Sequence, residues 1–234
     1  MKVVVLQSNY IPWRGYFDLI NDADLFIFYD EVQYTKNDWR NRNKIYSKNG
    51  LQWVTIPVAR ESVHLTISQV LLPLSNWRAK HLKAITLSYA QAPYFQELQQ
   101  LVQPLYMAEH GQYLVDINRY FITSLSKLLR ISTHFVDSRQ FQLQGGRVER
   151  LVHLLKQVGT RTYITGPSAQ EYLRGHEQTF ESAGIELRYK SYQGYPSYPQ
   201  LRAPFEGEVS ILDLIANVGI GNAPDYIWGW RKNQ

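Results

Sequence analysis

Val3-Val4-Val5-Leu6, then Gln7-Ser8-Asn9-Tyr10-Ile11-Pro12-Trp13-Arg14-Gly15-Tyr16-Phe17-Asp18, then Asp24-Leu25-Phe26-Ile27-Phe28-Tyr29-Asp30 is the stretch that decides the fold. A short apolar run bounded by polar residues marks a strand covered on both faces. Gly15–Asn21 predicts a short helix, and Asp24–Asp30 a second buried strand that ends on a carboxylate. Together they predict a β-α-β opening. The loop Gln7–Arg14 then lies at the carboxyl end of the first strand, the edge at which open α/β sheets bind ligands.

Further along the chain, Thr133–Asp137 predicts a strand, Arg147–Val158 a helix closed by Gly159, and Thr162–Thr165 a strand stopped by Gly166-Pro167-Ser168. His176–Ala183 predicts a helix closed by Gly184, Ile185–Ser191 a strand, Tyr192–Glu208 a Pro/Gly-rich loop and Ser210–Val218 a last helix. Between the two α/β stretches the texture changes. Trp39–Tyr46 alternates, Asn49-Gly50 offers a two-residue turn, and Gln52–Val58 returns as a hairpin partner. Period-2 geometry places Arg40, Arg42, Lys44 and Tyr46 on one face and Trp39, Asn41, Asn43 and Ile45 on the other. Leu65–Leu71 reads as a third strand. Trp77–Tyr89 with Asn76 as N-cap, Pro93–Tyr106 and Gln112–Arg130 read as helices. The expectation is one α/β domain over 1–234, a Rossmann-like, mostly parallel sheet flanked by helices. It carries an inserted β-hairpin at about 35–72 and a helical lobe at about 76–130.

Composition narrows the chemistry. The 234 residues are 44% hydrophobic and 19% charged, which excludes disorder, and no run nears the ~18 apolar residues of a membrane span. Met1–Gln7 reads as a strand, its apolar run being shorter than the ~7–15 residues of a signal-peptide core. Without cysteine there is no disulfide, thiolate metal site or Cys nucleophile, and the expected location is the cytoplasm. A net charge of +5 with 14% aromatics suits phosphates, nucleotides, sugars or nucleic acid without choosing among them.

Several residues stand out as candidates. Pro12 and Gly15 shape a loop whose backbone can approach a ligand, and Arg14 at the helix start adds charge for an anion. Asp30 at a strand end, followed by Glu31, could act as a base, although strand-end carboxylates are often merely solvated. Gln33, Lys36 and Asp38 follow at the same edge. Lys36 to Lys48 carries five cations against one acid, and Arg40 and Arg42 have the fork that binds phosphate. An edge strand protected by charge is the plainer reading, but it leaves Asn41 and Asn43, on the face of Trp39 and Ile45, without a reason. Ser168 with Glu171 has capping-box spacing, and a phosphate at that helix end is the functional alternative. Asp213 and Asn217 share one face of a largely apolar helix, and either satisfy a neighbouring loop or point into a site. Six scattered histidines show no metal-ligand spacing, and His81 alone is kept as a candidate acid or base.

The run Gln7–Phe17 resembles the signature of the WbqC-like family, in which a His often stands at the position of Gln7. The likeness continues through Asp30-Glu31-Val32-Gln33-Tyr34, Trp39-Arg40-Asn41-Arg42-Asn43, Thr165-Gly166-Pro167-Ser168, Tyr198-Pro199-Gln200 and Ser210–Gly219. It implies a role in bacterial surface-polysaccharide (O-antigen, lipopolysaccharide) biosynthesis, as a group transferase that attaches glycyl or a similar acyl group to a nucleotide-linked amino sugar. An amide cannot titrate, so Gln7 supplies no acid or base where the family has His. On this reading Arg42, Arg40 and Lys36 hold a diphosphate, Trp13 and Tyr16 stack on base or sugar, and Asn41 and Asn43 orient hydroxyls. Asp30 or Asp213 takes the amine proton, and Gln7, Asn9, Tyr10, Gln200 and Asn217 complete the expected site. Trp13-Arg14-Gly15-Tyr16 also resembles the His-x-Gly-His element of HIGH-type nucleotidylyltransferases, with aromatics at both histidine positions. That alternative brings ATP and Mg²⁺ as candidate cofactors; the residues themselves identify none. A noncatalytic sugar- or nucleic-acid-binding protein is the third reading, with nucleic acid the least expected partner.

Overall fold

The computed structural model describes residues 1–233, with side chains to Arg231. Five strands, β1 (Lys2–Leu6), β2 (Leu25–Phe28), β5 (His134–Asp137), β6 (Thr162–Thr165) and β7 (Glu186–Tyr189), form one sheet in the order β5-β2-β1-β6-β7. Every pairing in it is parallel, with Val4 opposite Phe26 and Val3 opposite Tyr163. The remaining strands, β3 (Arg42–Ser47) and β4 (Gly50–Thr55), make a separate antiparallel hairpin.

The sheet is parallel because its strands are apolar on both faces, and the two faces feed two cores. Val4, Phe26, Phe28 and Ile164 join the larger core with α1 (Arg14–Asn21), α2 (Trp77–Tyr89), α3 (Phe95–Met107), α4 (Leu114–Leu128) and α8 (Ile211–Val218). Val3, Val5, Ile27 and Tyr163 face the other way, onto α5 (Arg147–Gln157), α6 (Gln170–Leu173) and α7 (Glu177–Ser182). Side chains as fully buried as Val4, Phe26 and Ile27 are worth about 1.5–3 kcal/mol each. A final helix, α9 (Ala223–Ile227), packs against α1. No helix among the described residues is long and apolar enough to cross a membrane.

The α/β architecture, the hairpin and the three middle helices follow the sequence expectation, and four local readings are corrected. Leu65–Leu71 is not a strand. Ile67–Gln69 is a 3₁₀ turn closed by a Thr66/Gln69 capping box, and only isolated bridges touch Gln33 and Tyr113. The hairpin loop is Lys48-Asn49, with Ser47 opposite Gly50, so the turn falls one residue earlier than the Asn49-Gly50 pair suggests. Gly50 itself takes φ +95° beside that turn, which an L side chain resists. The first hairpin strand starts at Arg42; Asn41, one rung before it, keeps the buried face of Asn43 and Ile45, whereas Trp39 lies in the preceding turn, exposed against Trp53. Ser168 caps no helix, because a 3₁₀ turn over Pro167–Ala169 precedes the four-residue α6.

Candidate functional site

Strand order reverses between β1 and β6, so the crevice outside their carboxyl ends is where this topology places a ligand. The chain leaves β1 through Gln7–Trp13, and side chains from surrounding elements hold that loop from several sides. Asp30, at the end of β2, accepts from the Ser8 N–H at 2.8 Å. Tyr16 on α1 donates to the Gln7 carbonyl at 2.8 Å. Asn118 on α4 donates to the Arg40 carbonyl at 2.8 Å and to that of Ser8 at 3.4 Å. Asn43 on β3 donates to the carbonyls of Tyr10 at 3.1 Å and Ile11 at 2.9 Å. Ile11 sits at φ +35°, a region that β-branched residues avoid at a cost of about 1–3 kcal/mol. The loop is therefore kept in a shape its own residues would not choose. The buried Ser8 Oγ and Asn118 Oδ1 have no hydrogen-bond partner among the described residues.

A ladder of charge lies behind the loop. Arg119 on α4 donates to Asp30 Oδ2 through Nε at 3.0 Å and Nη2 at 2.8 Å, and through Nη1 to Asp137 at the end of β5. Burial would raise the Asp137 carboxyl, but the hydrogen bonds from Arg139 and Arg119 outweigh it and bring it down to about 2. Arg40 is paired less completely. It donates to the side-chain oxygens of Asn9 and, at 3.2 Å, Gln7, and its nearest carboxylate is Asp38 at 3.8 Å. Arg40 thereby fixes the amides of Gln7 and Asn9, while Arg119 and Ser8 occupy both oxygens of Asp30.

Beside the loop opens a pocket of about 240 Å³ lined by Asn9, Pro12, Trp13, Trp39, Asn43 and Glu208. Gly15 makes it possible: a Cβ there would fall inside the Trp13 indole. On the outer face of the hairpin Trp39 meets Trp53, ring centres 5.5 Å apart, both about 40% exposed. The Arg42 guanidinium lies 4.1 Å from the Trp53 ring centre, and the Lys44 ammonium 5.8 and 5.7 Å from the Trp39 and Trp53 rings. Cations over indoles of this kind form a lip that attracts anions while offering a flat apolar surface.

Four candidates from the sequence, Asn9, Trp13, Trp39 and Asn43, thus line one pocket, with Arg42 on its lip and Gln7, Tyr10, Tyr16, Asp30 and Arg40 shaping the loop beneath. Others lie elsewhere. The buried Arg14 donates to the carbonyls of Pro196 at 2.7 Å and Tyr226 at 3.2 Å under the rings of Tyr195, Tyr198 and Phe205, tying the C-terminal segment to α1. Asp213, its carboxyl pushed up by burial, accepts from Tyr198 at 2.7 Å and Gln200 at 2.6 Å. Tyr198, Gln200 and Asp213 thus anchor the Pro/Gly loop on α8, while Asn217 donates to the Asp213 carbonyl at 2.8 Å within that helix. Asn41 donates to the Ile56 carbonyl at 2.7 Å and Gln33 to that of Val63 at 2.8 Å, while Lys36 and Ser168 are exposed.

His81 is buried on α2. Its Nε2 lies 3.1 Å from the Thr55 carbonyl, which can only accept, so Nε2 carries the proton and Nδ1 accepts from the Tyr10 hydroxyl at 2.8 Å. Tyr106 must then donate to Tyr10. Burial pushes the imidazole down to about 4, against a weaker upward pull from Thr55.

Arg119, Asn118, Trp53 and Glu208 enter the site without having been singled out by the sequence, and Lys44 was read only as part of the basic strand face. Asn118 did leave a trace, as an amide four residues after Leu114 and three before Phe121 in the buried stripe of α4. Glu208 is one acid in a loop, and nothing local distinguishes it.

Comparison with known proteins agrees with the motif reading. Residues 7–224 match the model of the WbqC-like protein family. The chain is 43% identical over 227 residues to the uncharacterized protein Rv1507c of Mycobacterium tuberculosis, an alignment covering 97% of each chain. No solved structure matches it. The matched range takes in the clamped loop, the basic hairpin and the α8 anchor, and the chain belongs to the WbqC-like protein family.

Proposed function

We propose that this protein is a cytoplasmic group transferase that acylates the amine of a nucleotide-activated amino sugar in bacterial surface-polysaccharide assembly. The observation that carries the reading is the 240 Å³ pocket, where two indoles, two amides and the Glu208 carboxylate converge beside the Arg42/Lys44 lip. Indole faces suit the apolar face of a sugar ring. Asn9 borders it with an amide group suited to hydroxyls, Asn43 holds the loop wall in place through its bonds to Tyr10 and Ile11, and the cations complement a diphosphate. In the transfer the amine lone pair attacks the acyl carbonyl and a C–N bond forms. The bond from that carbon to the donor's leaving group breaks, and the leaving group departs with the electron pair. The amine proton passes to Glu208, an exposed carboxylate on the pocket wall. Asp30 serves as a positioning residue, because Arg119 and Ser8 already take its oxygens.

The test is calorimetric titration with UDP-, GDP- and dTDP-amino sugars, followed by mass spectrometry of acyl transfer to whichever binds. Saturable binding of one conjugate, weakened in Trp39→Ala, is the expected result. Failure of all three classes to bind would overturn the reading. ATP with Mg²⁺ is titrated alongside, because the HIGH-type alternative is favoured by the loop entering a helix at the strand-order reversal. Pyrophosphate release would establish that alternative instead.

A further inference from the structure

A second cavity of about 360 Å³ opens between β4 and α2, lined by Gln52, Trp53, Thr55, Trp77, Lys80 and His81 among others. It shares a wall with the first. Trp39 lines the smaller pocket, Trp53 the larger groove, and the two rings are in contact. Likewise Asn43 in the first stands opposite Val54 in the second across the hairpin ladder. Small-molecule sites usually enclose about 300–1,000 Å³. The smaller pocket falls short of that range and the groove barely enters it, whereas the two joined lie well inside.

The groove has the chemistry of a nucleoside site. The bond from Ile56 N–H to the Asn41 carbonyl, at 2.8 Å, sets which hairpin pairs are hydrogen-bonded. Alternate residues on β4, Thr55 and Trp53, therefore turn their N–H and C=O groups outward, toward α2. On β3 the Lys44 carbonyl confirms the alternation by accepting from Ser210 N–H at 2.9 Å. His81 takes the Thr55 carbonyl, which leaves the Trp53 backbone as an edge donor and acceptor beside the groove. Gln52, Ser75 and Thr55 add side-chain donors and acceptors, Lys80 adds an ammonium, and Trp53 an exposed indole. Between groove and pocket stand the cations Arg42 and Lys44, both against the Trp53 ring.

We infer that the two cavities are halves of one extended site, divided by the Trp39–Trp53 pair. The nucleoside of a sugar nucleotide lies in the groove between β4 and α2, its diphosphate crosses at Arg42 and Lys44, and its amino sugar enters the pocket at Asn9 and Glu208. The assignment rests on the functional reading above and extends it by naming where each part of the substrate sits.

Calorimetry on the full chain separates the halves. The probes are UDP, GDP and dTDP with their amino-sugar conjugates, and the variants are Lys80→Glu in the groove, Glu208→Gln in the pocket and Lys83→Glu as a charge control. Lys83 is an exposed residue of α2 that does not line the groove. Lys80→Glu is expected to raise Kd about tenfold for the nucleoside diphosphate and by the same factor for its conjugate. Glu208→Gln should weaken only the conjugate, and Lys83→Glu neither. If the wild type binds a conjugate but Lys80→Glu leaves its Kd unchanged, or Lys83→Glu matches Lys80→Glu, the extended site is wrong and the transferase reading survives. If the wild type binds no conjugate, both fall.

Discussion

Replacing His81 by Phe should flatten the dependence of stability on pH between 7 and 5. In the fold the imidazole is neutral, with Nε2–H given to Thr55 and Nδ1 accepting from Tyr10, and burial depresses it to about 4 from an ordinary 6.5. The folded value lies below the unfolded one, so the unfolded chain binds the extra proton throughout that window. Stability is therefore full above about pH 6.5 and is lost as pH falls toward 4. With those two values the wild type loses about 2 kcal/mol between pH 7 and 5 and about 3 kcal/mol by pH 4 from this residue. For a chain of this size 2 kcal/mol corresponds to about 4–8 °C in Tm. Phe cannot titrate, but it strands the Tyr10 hydroxyl and the Thr55 carbonyl and should cost about 1–3 kcal/mol at pH 7. The two proteins should thus differ clearly at pH 7 and converge near pH 5. Urea melts at pH 7, 6 and 5 measure this, and subtracting the variant removes the other histidines, including the partly buried His110, whose value burial also lowers. Parallel stability curves, differing in slope by less than about 0.5 kcal/mol over the window, would refute the neutral, hydrogen-bonded assignment.

Other perturbations test the loop and its supports. Gly15→Ala places a methyl group inside the Trp13 indole and should cost about 1–3 kcal/mol, displace that ring and weaken sugar-nucleotide binding; Trp fluorescence with calorimetry reads both effects. Asn43→Ala strands the Tyr10 and Ile11 carbonyls and releases the strained Ile11, so denaturation should show a loss of about 1–3 kcal/mol. An unchanged midpoint would mean the loop holds itself. Asp18→Ala removes a fully buried carboxylate that holds Lys190, Arg231 and the Tyr195 hydroxyl, and a loss of about 3–5 kcal/mol in a urea melt is expected.

The sheet was legible because its signal is local. Val3–Leu6 and Leu25–Phe28 are apolar on both faces, and only a parallel strand with helices on either side buries both. The Ile67–Gln69 turn misled because Leu65–Leu71 has strand-like composition, whereas the Thr66/Gln69 capping pair that bends it gains its force only when both bonds close. In the site, Asn43 was readable as an amide on an apolar face, and it does hold backbone carbonyls.

By itself the sequence determined the α/β architecture, the family, and the residues of the first loop and basic hairpin that gather around one pocket. These follow from hydrophobic period and from motif blocks, both carried by neighbours along the chain. Only the tertiary structure decided which charged groups are already engaged. Asp30, Asp213 and Arg14 look like reactive or anion-binding groups in isolation. Their oxygens and N–H groups are taken by Arg119, Tyr198, Gln200, Pro196 and Tyr226, which lie 13 to 212 residues away in the sequence. A carboxylate's chemistry depends on who donates to it and how much water it has lost, and neither is a property of its own stretch of chain.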